Sequence, residues 1–164
     1  MAFTFDATPK ATTANSYVSV AVADDYFEGR QNSGAWAGLA SLTKQRLLVS
    51  ACNRLEAELY LGEKTTQGQR LKWPRVDVLD DAGYLYDADT VPRYVQEAQM
   101  ELAWAMQQGG TTDFFADTGL EGFTDIDLGP LSISRNLNTV AGQLPASVAR
   151  LIASFRMGAR LVRG

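Results

Sequence analysis

Apolar positions recur at helical spacing in four stretches of this chain. The first runs from about Val20 to Gln31. Ser19 is its expected N-cap, Tyr26 and Phe27 supply packing, and Asp24 and Asp25 lie towards its positive end. Asn32-Ser33-Gly34 breaks the pattern, and Trp36 falls in a short turn. The second stretch opens at Ser41 and carries Leu47, Leu48, Ala51, Leu55 and Leu59 on one stripe. It is expected to run to about Leu61, with Gly62 as its stop. Arg46, Arg54, Glu56 and Glu63 read as a solvated face.

The third stretch places Pro92 as the first helical residue, with Val91, Val95, Ala98, Leu102, Ala105 and Met106 at three- and four-residue steps up to Gly109-Gly110. Trp104 lies off that stripe and is expected to pack on a loop or a neighbouring subunit. Pro145 opens the fourth, where Val148, Leu151, Ile152, Phe155, Ala159 and Val162 share a face. Arg156, Arg160 and Arg163 fall together beside it. They read either as a solvated flank or as a docking helix that sets arginines onto a partner's carboxylates.

The intervals are less regular. Residues 1–14 show no periodicity and read as an extended arm. Between the second and third helices lies Gln69-Arg70-Leu71-Lys72-Trp73-Pro74-Arg75, followed by Val76 to Tyr86, a β-hairpin expectation with Asp81-Ala82-Gly83 at the bend. A loop this long is uncommon unless it is functional or partly structured. Trp73 reads first as a ring packed under the loop. The alternative makes Trp73 and Arg75 part of a partner surface, since both residue types are enriched at hot spots. Residues 111–127 are loop-like, and Phe114, Phe115 and Phe123 read either as an interaction patch or as rings buried under the bundle. Ile126, Leu128, Leu131 and Ile133 then alternate around Gly129-Pro130, as in an edge strand or a segment that pairs with another chain. The expected fold is mainly α. It is a bundle of about four helices in a single domain, with a β-hairpin or extended loop between helices 2 and 3 and a short strand-like segment before the C-terminal helix.

Composition narrows the function. With 46% hydrophobic and 21% charged residues, the 164-residue chain is globular. No apolar run approaches a membrane span, and the first residues lack a signal-peptide pattern, so a cytoplasmic site of synthesis is expected. There is no histidine and one cysteine, Cys52, inside a helical stripe. The usual general base, the usual metal ligand and any internal disulfide are therefore missing, and no enzyme, metal or cofactor is expected. The aspartates at 77, 80, 81, 87 and 89 lack calcium-loop spacing and read as turn formers. All 19 acidic residues lie at or before Asp127. Up to residue 128 they face ten basic residues, a balance of −9, and five later arginines restore −4. An acidic body with a basic end suits head-to-tail contact between copies, or docking onto an acidic partner.

The motifs occur in a telling order: Asn15-Ser16-Tyr17-Val18-Ser19, Asp24-Asp25-Tyr26-Phe27 with Arg30 and Trp36, Gly68-Gln69, Trp73-Pro74-Arg75, the Asp81/Gly83 turn, Val91-Pro92, Gly129-Pro130-Leu131-Ser132-Ile133 and Leu144-Pro145. This series resembles the small head-tail connector (adaptor) proteins of tailed bacteriophages, a group also labelled DnaT-like single-stranded-DNA-binding proteins. The resemblance implies a virion protein that forms a homo-oligomeric neck ring, expected to be dodecameric. Such a ring would sit on the portal protein, pass genomic double-stranded DNA without reading its sequence, and offer a platform to a stopper or tail protein. An acidic wall would let phosphates slide. Trp73, Arg75, Leu131, Ile133, Phe155, Arg156, Arg160 and Arg163 are the candidate contact residues. The competing expectation is single-stranded-DNA binding, with Trp36, Trp73 and Trp104 stacking bases. The sequence pI of about 4.8 weighs against it.

Overall fold

The computed structural model describes residues 3–80, 82–108, 125–127, 132–134 and 144–157, with the backbone alone for the two three-residue segments. The described chain is mainly α. Helix α1 spans Val20–Glu28, and the Ser19 hydroxyl accepts a hydrogen bond from the Val22 N–H at 3.2 Å, as an N-cap should. Gly29 closes it, three residues before the expected end. Where a turn was expected around Trp36, a short helix α2 covers Ser33–Ala37 and delivers the indole into the core.

Helix α3, Ser41–Leu55, stops six residues earlier than its apolar stripe suggested. Leu48, Ala51, Cys52 and Leu55 are buried, but Leu59 is 66% exposed and belongs to no helical face. The reason lies at Glu56. Its carboxylate turns away to accept the Lys72 N–H at 2.9 and 3.1 Å, and the Tyr17 hydroxyl donates to it as well. A side chain committed to two distant segments fixes the helix end, and the chain leaves through a turn, with Ala57 and Glu58 donating to the Arg54 and Leu55 carbonyls, before Tyr60.

Two short strands follow, β1 (Glu63–Lys64) and β2 (Arg75–Val76), paired antiparallel with Glu63 opposite Val76. The expected hairpin from Val76 to Tyr86 is present in reduced form, as one antiparallel bridge between Leu79 and Leu85. Helix α4, Arg93–Gln107, starts one residue later than expected, with Pro92 as its N-cap. Strands β3 (Asp125–Asp127) and β4 (Ser132–Ser134) pair with each other, Ile126 opposite Ile133, so the two halves of that alternating segment find partners within the chain. Helix α5, Ala146–Leu151, and a single 3-10 turn, Ala153–Phe155, end the described chain. The fourth helix was expected to continue past Arg156. Instead Arg156 is extended, and it bridges to Tyr60.

Helix α4 is the middle of the bundle, packed against α3 and α5, while α1 packs on α2 and α3. The N-terminal residues are not a free arm. Asn15 accepts from the Asp6 N–H at 3.0 Å and donates to the Thr4 carbonyl at 2.7 Å, which folds the segment onto itself beside buried Ala14. Asp6 is held below the usual carboxylate range, first by the Thr13 hydroxyl and then by Thr8.

Within this apolar core sits one fully buried amide. Gln99 accepts the Tyr17 N–H at 2.9 Å and donates to the Ser16 hydroxyl and the Leu48 carbonyl, each at 2.8 Å. It thereby ties the N-terminal segment and α3 to α4. Replacing it leaves buried partners unsatisfied, at about 1–3 kcal/mol for each stranded group. Gln99→Leu is therefore expected to lower the unfolding free energy by about 2–4 kcal/mol, measured by urea denaturation. A loss below about 1 kcal/mol would show that the amide is not a structural tie.

Candidate interaction surface

The most distinctive stretch of the sequence, Gln69 to Arg75, folds as a polar knot around a buried ring. Trp73 is 1% exposed, precedes a cis Pro74, and makes edge-on contacts with Tyr60 and Phe155 at 5.6 and 5.3 Å. Around it, polar side chains satisfy a backbone that forms little regular structure. The Gln69 amide donates to the Leu71 and Pro74 carbonyls at 2.9 and 3.0 Å and accepts the Thr66 N–H. Lys72 Nζ donates to the Glu58 carbonyl at 2.6 Å.

Arg75 does most. Its guanidinium donates to the carbonyls of Leu61 at 2.6 Å, Lys72 at 3.1 Å, and Gly62 and Tyr60. Burial lowers its pKa from the usual arginine value. Trp73 and Arg75 thus face inwards, and their reading as a partner surface gives way to the packing reading.

The other candidate residues separate in the same way. Phe155 is fully buried against Trp73 and Tyr86, so it anchors the C-terminal segment to the knot and presents no docking ridge. Arg156 is partly exposed and ion-paired with Glu58 at 2.6 Å, a contact inside the chain. Ile133 lies in β4, and only its backbone is described. Leu131, Arg160 and Arg163 lie outside the described residues, as do Phe114, Phe115 and Phe123.

The tryptophans offered for base stacking are likewise committed. Trp36 Nε1 donates to Asp24 at 2.8 Å, beneath Lys44, and its ring meets Phe27 at 4.4 Å. Trp104 stacks on Phe27 at 5.4 Å from a half-buried position.

Among the described residues, exposed large apolar side chains cluster in sequence on two segments of this region. Leu59 and Leu61 flank buried Tyr60, and Leu79, Tyr84 and Leu85 stand out from the hairpin. The sequence reading missed these. The alternation around Tyr60 and around the Asp80–Gly83 turn was the signal, but Leu59 also fitted a helical stripe. Two of the aspartates form turns, as expected: Asp80 accepts from the Ala82 and Tyr84 N–H groups, and Asp87 from that of Asp89, while Asp89 itself pairs with Lys10 at 2.6 Å and Asp81 lies outside the described residues. No group of acidic, cysteine or histidine side chains among the described residues is placed to hold a metal ion. Burial pushes the Cys52 thiol and the Tyr17 and Tyr60 hydroxyls up, away from reactive forms.

Residues 1–134 match a family model described as "Putative DnaT-like ssDNA binding protein". The chain belongs to this DnaT-like family. No curated protein and no solved structure matches it. The matched region runs from the N-terminal segment through β4, and so includes the Gln69–Arg75 knot but not α5. In this DnaT-like chain, five described cations are ion-paired with carboxylates, at Lys10, Arg30, Lys44, Arg93 and Arg156. Three more, Lys64, Lys72 and Arg75, donate to backbone carbonyls. A phosphate backbone would have to compete for each of them. No helix among the described residues is long and apolar enough to cross a membrane.

Gly62 shows how tightly the knot is drawn. Its φ is +70°, and a Cβ there would meet the Val76 carbonyl oxygen at 2.1 Å and Val78 Cγ2 at 2.7 Å. Gly83, at φ +87°, has open space around the same position. Both alanine variants bear the left-handed backbone cost of about 1–2 kcal/mol, but only Gly62→Ala adds a collision with backbone. Thermal unfolding should show a clearly larger loss for Gly62→Ala than for Gly83→Ala. Equal losses would contradict the close approach of β2 to this turn.

Proposed function

We propose that this DnaT-like chain is a structural assembly protein, the head-tail adaptor that forms a neck ring on the portal of a tailed bacteriophage. The observation that carries the reading is the inward direction of the described motif residues. Ser16, Tyr17, Phe27, Trp36, Gln69, Trp73 and Arg75 all serve core contacts or internal hydrogen bonds. A motif series spent on architecture fits a family that shares a shape and assembles through surfaces, rather than one that shares a ligand pocket. The acidic balance supports the reading too, because a channel wall of like charge does not hold phosphates. In this role the partners are further copies of the chain, the portal protein, and a stopper or tail protein. Genomic DNA passes through without sequence recognition. The basic C-terminal residues are the segment offered to the portal.

Single-stranded-DNA binding is the second reading, and the family's description favours it directly. It would require a groove of cations with exposed aromatic rings. Buried Trp36 and Trp73 cannot supply that groove, and neither can the cations already tied within the fold.

One pair of measurements separates the two. Full-length protein is titrated against a fluorescent oligothymidylate at low salt and, in parallel, sedimented with portal-bearing heads that lack a tail. The adaptor reading expects co-sedimentation and no salt-sensitive rise in anisotropy. Tight oligonucleotide binding that weakens steeply with salt, without attachment to heads, would replace it with the DNA-binding reading.

A further inference from the structure

The ring at the centre of the knot carries one polar atom that the protein itself does not satisfy. Trp73 Nε1 is buried, and its N–H reaches no acceptor among the described residues. The other fully buried indole differs, since Trp36 Nε1 meets Asp24 at 2.8 Å. A buried donor without an acceptor bears its full desolvation cost, so its surroundings call for an explanation.

Trp73 also lines a cavity of about 10 Å³. That is close to the smallest volume in which one water fits, and too small for an organic ligand. Eight of the eleven lining residues lie between Ala7 and Tyr17, and Leu71, Trp73 and Val91 complete the wall. The cavity therefore sits where the N-terminal segment crosses the knot.

The polar side chains of that wall are already committed. The Ser16 hydroxyl donates to the Val18 carbonyl at 2.6 Å and accepts from the Gln99 amide at 2.8 Å. The Tyr17 hydroxyl donates to Glu56, the Thr8 hydroxyl serves Asp6, and Lys10 pairs with Asp89. What the wall offers instead is backbone. Residues 7–17 form no helix or strand, so their peptide groups are not used up in a regular ladder. Each carbonyl there has two lone pairs, and one that already accepts a bond can accept another.

We propose that this cavity is a binding site for one water molecule, which accepts the Trp73 N–H and donates to peptide carbonyls of the N-terminal segment. Apolar voids stay dry, whereas a cavity with a stranded donor and peptide groups at its wall holds ordered water. The water adds an internal link between the N-terminal segment and the knot. It stands beside the direct bond from the Arg70 N–H to the Ala11 carbonyl at 3.2 Å. The site does not depend on either functional reading.

Two measurements on the wild-type full chain test it. A high-resolution crystal structure is expected to show one water about 2.7–3.2 Å from Trp73 Nε1, with at least one carbonyl oxygen in the same range of that water. In solution, rotating-frame Overhauser spectra of nitrogen-15-labelled protein should give the Trp73 indole proton a cross-peak at the water frequency. Its sign should be that of direct dipolar contact, not of proton exchange. Trp73→Phe serves only to assign that indole signal by its loss. A protein acceptor on Nε1 in place of the water, or a cavity without density, would overturn the proposal. So would an indole proton that shows no dipolar contact with water.

Discussion

The structure depends on one buried guanidinium. From Glu56 to Pro92 the chain has only two two-residue strands, yet it must pass across the core and leave no carbonyl stranded. Arg75 resolves that conflict by donating to four carbonyls on the two segments it joins. Charge-assisted bonds of this kind contribute about 1.5–3 kcal/mol each, more than neutral ones. A lysine could supply charge but not a planar fork able to reach several oxygens at once. With Arg75 fixed, Trp73 is held beneath the loop and Gly62 can approach β2.

The same logic runs through the rest of the molecule. Gln99 ties the N-terminal segment to α3 and α4, Glu56 ties the end of α3 to Lys72 and Tyr17, and Asp24 receives both Trp36 and Lys44. Each is a polar side chain that satisfies segments far apart in sequence. Apolar packing fixes the bundle in general, whereas these contacts fix which segment crosses where. The outward side is then free to carry a different chemistry: leucines and a tyrosine on the hairpin, with aspartates around them.

Elements with strong local signals were legible before the fold was seen. Ser19 capped α1, Pro92 preceded α4, and the apolar stripe of α3 was read correctly up to Leu55. The errors came where a distant contact outweighed local periodicity. Leu59 fits a helical stripe, but Glu56 had already turned the chain towards Lys72. Phe155 looked like part of a docking ridge, but it meets Trp73, eighty-two residues earlier in the chain. Arg156 fell beside that ridge on a helical wheel, but the helix had ended and Tyr60 was its neighbour. Arg75 looked like a surface hot spot because residue type alone does not say which carbonyls stand within reach. The DnaT-like membership was legible as a motif order, although the burial of those motifs was not.

The central claim is that Arg75 holds the loop together from within. Its most direct test is amide hydrogen exchange on Arg75→Met, which keeps an apolar stem and removes every donor. Amides in residues 60–76 are expected to lose protection, among them Leu61 and Thr65, while those in the middle of α3 and α4 keep theirs. Unchanged protection across 60–76 would contradict the account and return Arg75 to the list of residues awaiting a partner.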